Sequence, residues 1–131
     1  MPLFTWLDKY SIQNEVLDSQ HKKLFDIFND LYDNSMNDSN NNIFNNVLDD
    51  LINYAHYHFE TEENYMRQID YRDLGAQINE HRYFTKKIIR LKVNSATENY
   101  DIKRETILFL GKWLINHVMK EDVKIVVYDK S

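Results

Sequence analysis

At 131 residues, with 43 % hydrophobic and 14 % aromatic content, the chain has the size and composition of one globular domain around a single sizeable core. Two Gly and one Pro, the latter at position 2, leave too little turn material for an all-β fold. A net charge of −5 with Lys and Arg scattered among acids offers no basic stripe for nucleic acid. The absence of Cys excludes disulfides, thiolate ligands and iron-sulfur clusters, so any metal must be held by imidazole and oxygen, which suits iron, manganese or zinc.

Met1 to Leu17 reads as an irregular arm, with Asp18 or Ser19 placed to cap a first helix that runs to about Met36. Its core stripe is Leu17, His21, Leu24, Phe28 and Leu31. The run Asn37-Asp38-Ser39-Asn40-Asn41-Asn42 has no core-forming residue and reads as a solvated turn. A second helix extends to about Ile69 on the stripe Phe44, Leu48, Leu51, Ala55, His58, Glu62, Tyr65 and Ile69. A third, from about Arg72 to Val93, carries Leu74, Gln77, His81, Phe84, Ile88 and Leu91. A fourth, from about Glu98 to Lys120, carries Ile102, Thr106, Leu110, Trp113 and His117. Steps alternating between three and four mark helices that bury one face. The tail Val123 to Tyr128 is short and apolar and is expected to pack as an arm. No apolar run reaches the length of a membrane span, and Met1 to Tyr10 lacks the pattern of a signal peptide, so a cytoplasmic location is expected.

Short connections between four such helices make neighbours antiparallel, which predicts an all-α, up-down-up-down four-helix bundle with an N-terminal arm and a short C-terminal tail, one domain over 1–131. In that topology the start of the first helix, the end of the second, the start of the third and the end of the fourth share one end of the bundle. His21, His58, Glu62, Gln77, His81 and His117 lie at those places. Singly, each histidine reads as a hydrogen-bonded core residue, but their convergence points to a metal site. Glu62 at a core position has no basic residue on its own stripe and needs a cation to remain ionised. Asp122 is the natural second carboxylate. Five residues beyond His117, it is rotated by roughly 140° on a regular helix, so the fourth helix must end or loosen between them. His56, two residues from His58, falls on the opposite flank of its helix and reads as a surface residue or a neighbour of the ligands.

The chain resembles the bacterial hemerythrins over nearly its whole length. The resemblance is carried by Trp6 and Tyr10-Ser11-Ile12, by Leu17-Asp18-Ser19-Gln20-His21-Lys22-Lys23-Leu24 and by His58-Phe59-Glu60-Thr61-Glu62-Glu63. His81 and Trp113-Leu114-Ile115-Asn116-His117 with Asp122 complete it. It implies two iron ions with an oxide or hydroxide bridge and O2 as ligand. One iron would be held by His21 and His58 with a vacant position for O2, the other by His81 and His117, with Glu62 and Asp122 bridging the pair. Leu24, Phe59, Trp113, Leu114 and Val118 would form a dry pocket around bound O2. The family usually places a third histidine on the second iron four residues before His81, where this chain has Gln77. An amide oxygen is a weaker donor than imidazole, and ligation, retention of a ligating water, or an iron one ligand short are all open for it.

The function implied is reversible O2 binding for storage, delivery or sensing by a monomer, with no nucleic acid or membrane partner. Two alternatives are a di-iron redox enzyme acting on peroxide or nitric oxide and a metal-binding bundle without O2 chemistry.

Overall fold

The structure, a computed structural model, describes residues 6–12, 14–36, 41–95, 100–118, 122 and 124. Among them the chain forms a short 3-10 helix at Asp8–Tyr10, four α-helices and no strand: α1 Glu15–Met36, α2 Asn41–Gln68, α3 Leu74–Ser95 and α4 Tyr100–Asn116. Helix α1 packs on α2 and α4, and α3 packs on α2 and α4, so the four close into a ring. This is the antiparallel four-helix bundle that the stripes predict. Of the expected solvated turn, Asn41 and Asn42 belong to the first turn of α2, and 37–40 lie outside the described residues. The expected apolar tail, Lys124 apart, also lies outside them.

Each helix contributes its stripe to one core: Leu24, Phe25, Phe28 and Leu31 from α1, Phe44, Leu48, Leu51, Ala55 and Phe59 from α2, Phe84, Ile88 and Leu91 from α3, and Leu110, Leu114 and Val118 towards the end of α4. Two stripes run differently from their prediction. On α2, Met66 is fully buried and Tyr65 only half-buried, because the last turn of the helix packs Met66 into a small satellite cluster with Tyr71. On α4, Lys103 and Leu114 join Thr106 and Leu110 inside, while Trp113 is half-buried. Lys103 is tolerated there because its ammonium lies over the Phe44 ring, 5.4 Å from the centroid.

The ends of the helices show how local chemistry sets the register. Asn14 Oδ1 accepts the Leu17 N–H at 3.1 Å and so caps α1 three positions in from the first orphan donor. The cap expected at Asp18 or Ser19 is therefore wrong, and α1 starts at Glu15. Asp18 is used otherwise: its carboxylate accepts from the Ser11 hydroxyl and from the Ile12 N–H at 2.9 Å, tying the arm to the first turn of α1. The arm then lays Trp6 against Phe25, with ring centroids 6.1 Å apart.

At the same end of the bundle, α2 stops without Gly or Pro. Asp70 takes the left-handed conformation, φ 54°, while its N–H reaches Arg67 C=O and the Tyr71 N–H reaches Met66 C=O at 2.8 Å. Those two bonds and the Met66–Tyr71 contact form a Schellman cap that turns the chain sharply into α3.

Asn14→Ala is expected to lower stability by about 1 kcal/mol, as loss of an N-cap does. Ser19→Ala should change it by less than about 0.5 kcal/mol, the ordinary range away from such features. Denaturant midpoints of the two variants check this.

Candidate metal centre

Helix α1 brings His21 into the bundle about two turns beyond its cap, α2 brings His58 and Glu62 one turn apart towards its C-terminal end, α3 brings Gln77 and His81 in its first turns, and His117 follows directly on the last residue of α4. All are buried, and Glu62 and Asp122 are both 0 % exposed. Asp122 reaches the group because the helix widens as it ends: the Asp122 N–H bonds His117 C=O at 2.8 Å, an i to i+5 bond. The wider turn places both residues on one side, which a regular helix would not. The loosening expected between them thus takes the form of a single π-type turn.

The two carboxylates divide their oxygens between two pairs of imidazoles. Glu62 Oε2 lies 3.2 Å from His21 Nε2 and 3.0 Å from His58 Nε2, while Oε1 lies 3.1 Å from His81 Nε2 and 3.2 Å from His117 Nε2. Asp122 repeats the pattern, with Oδ2 3.0 Å from His21 Nε2 and Oδ1 3.1 Å from His117 Nε2. His21, His58, Glu62 and Asp122 thus present four donors to one point, and Glu62, His81 and His117 present three to another, the donor atoms of each group lying within 4.8 Å of one another. Donors held about 2.1 Å from one ion at right angles stand about 3.0 Å apart, so the observed spacing is that of neighbouring ligands on a metal.

Tautomers strengthen this fit. His58 Nδ1–H donates to Gln20 Oε1 at 2.7 Å, His81 Nδ1–H to Glu63 Oε2 at 2.7 Å and His117 Nδ1–H to Glu80 Oε2 at 2.9 Å. A neutral imidazole with Nδ1 protonated has a lone pair on Nε2. The Nε2 atoms of His81 and His117 then face each other at 3.1 Å, lone pair to lone pair, with carboxylate oxygens beside both. His58 Nε2 and Asp122 Oδ2 find no hydrogen-bond geometry in spite of their close neighbours. Such a ring of inward lone pairs repels itself unless cations sit inside it, and two divalent ions fit.

Without metal, protons take that role in part. Burial acts to lower the pKa of His21, but Asp122 and Glu62 outweigh it and raise it to about 9. At His117 burial is likewise overcome by the Asp122 carboxylate, and the pKa rises well above the usual histidine range. At His58 burial prevails over the attraction of Glu62 and lowers it. Burial would raise the Glu62 carboxyl, yet His58, His117 and His21 hold it well below the ordinary value. The metal-free centre is therefore a cluster of carboxylates neutralised by imidazolium, and metal uptake must displace those protons.

The sequence-predicted residues fall into three groups. His21, His58, Glu62, His81, His117 and Asp122 come together as described. Gln77 is buried beside them, its Nε2 3.3 Å from Asp122 Oδ1. Of the expected pocket lining, Leu24, Phe59, Leu114 and Val118 are buried; Phe59 stacks on the His81 ring with centroids 4.0 Å apart, and the half-buried Trp113 stacks on His117 at 4.4 Å. His56 is exposed, in a groove with Glu60, Arg82 and Lys86.

Sequence reasoning assigned no role to Gln20, Glu63 or Glu80, which orient the imidazoles from outside. Each is adjacent in sequence to a ligand on its own helix but serves the ligand of the next helix. A polar residue flanking an inward histidine or glutamate is the signal that could have found them.

The hemerythrin HHE cation binding domain family matches residues 13–127. The chain belongs to the hemerythrin family. The bacteriohemerythrin of Methylococcus capsulatus is 31 % identical over 123 residues, 93 % of this chain and 93 % of that protein. That of Clostridium acetobutylicum is 28 % identical over 124 residues, 92 % and 96 % of the two chains. A crystal structure of wild-type hemerythrin superposes with a TM-score of 0.85 at 29 % identity, covering 98 % of this chain and 99 % of its own. The protein is a metal-binding helix bundle of the hemerythrin family, and no helix among its described residues is long and apolar enough to cross a membrane.

Two outcomes follow from the geometry. Glu62→Ala removes the carboxylate that meets all four imidazoles and should reduce bound metal to one ion or fewer per chain, whereas His56→Ala should leave metal content unchanged; elemental analysis after dialysis compares them. The stability that the metal-free protein draws from His21 is fully present below pH 6.5 and is lost as pH rises through about 9. Denaturant titrations from pH 6.5 to 9.5 should therefore show metal-free stability falling, while the metal-loaded form, whose ions replace those protons, changes less.

Proposed function

We propose that this hemerythrin-family bundle, as one cytoplasmic domain over 1–131, binds O2 reversibly at two iron ions for storage, delivery or sensing. The observation that carries the reading is the division of Glu62 and Asp122, one oxygen of each towards His21 and the other towards His117. Carboxylates shared in this way suit two adjacent cations and offset part of their charge. His21 and His58 would hold one ion and His81 and His117 the other. When bound, the iron pair supplies the electrons that O2 takes up and returns.

The side chains do the rest. Gln20, Glu63 and Glu80 fix three imidazoles by their Nδ1–H groups and keep Nε2 turned inward. Leu24, Phe59, Leu114 and Val118 exclude water, which limits loss of a charged oxygen species to solvent. None of the residues at the centre is required to act as an acid or base.

A second reading, a redox enzyme acting on peroxide or nitric oxide, is favoured by one residue, Gln77 in place of a third histidine. Absorption spectra of the iron-loaded protein separate the two. A charge-transfer band that appears in air, vanishes when oxygen is removed and returns over several cycles is the expected result. Steady consumption of peroxide without that band would replace the first reading with the second, and a colourless protein would sink both.

A further inference from the structure

Gln77 stands one turn before His81 on α3, 3 % exposed. Its amide has two ends with different surroundings. Nε2 donates to Asp122 Oδ1 at 3.3 Å. The structure thus sets the nitrogen end of the amide, and not its oxygen end, against Asp122. The lone pair of an amide nitrogen is delocalised into its carbonyl, and that end is no metal donor. The other end, Oε1, is attached to the same carbon, is buried and has no hydrogen-bond partner among the described residues. Asp122 Oδ1 is also the oxygen that meets His117 Nε2 at 3.1 Å, so the amide lies on the His81–His117 side of the centre. That side gathers Glu62, His81 and His117 as one group, with Asp122 Oδ1 beside His117, so it offers two carboxylate oxygens and two imidazoles.

We infer that Gln77 is a positioning residue and not a metal ligand: its N–H holds Asp122 across the two metal positions, and a coordination position beside His81 and His117 stays open to a small exogenous ligand. The inference rests on the two-iron reading above. The ligand is a small oxygen or nitrogen donor that carries a proton, for which Oε1 is the acceptor, and water or hydroxide is the resting occupant. A buried acceptor left without a donor is costly, and such a ligand satisfies it. Phe59 and Trp113 are stacked on His81 and His117 and hold the two imidazoles in place beside the open position. This position is additional to the vacancy that family resemblance places beside His21 and His58.

Azide titrations of the iron-loaded protein, followed by absorption, count the open positions. The iron content of each sample is measured first. Two azides per two-iron chain are expected in the natural protein and in Gln77→Leu, and one in Gln77→His, whose imidazole occupies the position. The second azide of the natural protein should bind at least tenfold more weakly than the first, because it displaces a water bonded to Oε1 and offers no proton in return. One azide in the natural protein and two in Gln77→Leu would make Gln77 a ligand and overturn the inference. Two in Gln77→His would show that residue 77 does not reach the position, and two azides of equal affinity would remove the acceptor role of Oε1. If Gln77→Leu does not retain its iron, the comparison of the natural protein with Gln77→His still decides. A chain that takes up no iron overturns the two-iron reading and this inference together, whereas a two-iron chain that binds one azide overturns this inference alone.

Discussion

Everything at the metal end of the bundle depends on one ionised carboxylate in a place where a carboxylate should not be stable. Glu62 is fully buried, and both its oxygens meet imidazole nitrogens, two each, contributed by all four helices. An isolated carboxylate in such surroundings would take up a proton. Here it stays charged because four groups able to carry a proton or bind a metal are held against it. The arrangement is self-consistent only when positive charge is supplied, by protons on His21 and His117 or by metal. The same cluster that costs stability when empty of cations therefore gives a bound metal its grip.

The helices divide their labour by level. Away from the centre they meet through Phe, Leu and Ile, a core that would hold together four helices of any function. At the centre the same stripes turn polar within one or two helical turns, and the apolar rings change their role: Phe59 and Trp113 lie flat on His81 and His117 and fix the planes of imidazoles whose outer nitrogens are already tied. Packing and hydrogen bonding act on the same two rings from different sides, so the ligands are positioned before any ion arrives.

The bundle and its six converging residues were legible because both follow from a single periodicity. A helix with one buried face reports its inward residues every three or four positions, and antiparallel order alone brings His21, His58, Glu62, His81 and His117 to one end. Asp122 required one more physical step, the widening of a helix end, and that too could be anticipated from the mismatch of five residues with a regular turn. The features that escaped are set by quantities that a stripe does not contain. The cap at Asn14 depends on backbone angles before the first turn, and the left-handed Asp70 takes a place usually given to Gly. Gln20, Glu63 and Glu80 act across helix boundaries, so finding their partners requires the rotation and axial offset of adjacent helices. The exchange of Tyr65 for Met66 and the half-burial of Trp113 reflect the same rotation, a small angle that periodicity leaves undetermined.

The outward hydrogen bonds have a further consequence for the bundle as a mechanical object. Gln20 of α1 orients His58 of α2, Glu63 of α2 orients His81 of α3, and Glu80 of α3 orients His117 of α4, so each helix is keyed to its successor at the same height. A hydrophobic seam alone permits one helix to slide past another by a turn, about 5.4 Å, at modest loss of contact. Here such a slip would detach a ligand from its outer partner and withdraw it from the carboxylates at once. Among the described residues the chain of keys does not close, for the Nδ1 of His21 has no partner there. Helix α1 is therefore keyed to α2 by Gln20 but meets the last helix through the inner nitrogen of its own imidazole, so the alignment of the first helix with the last depends most directly on what the centre holds.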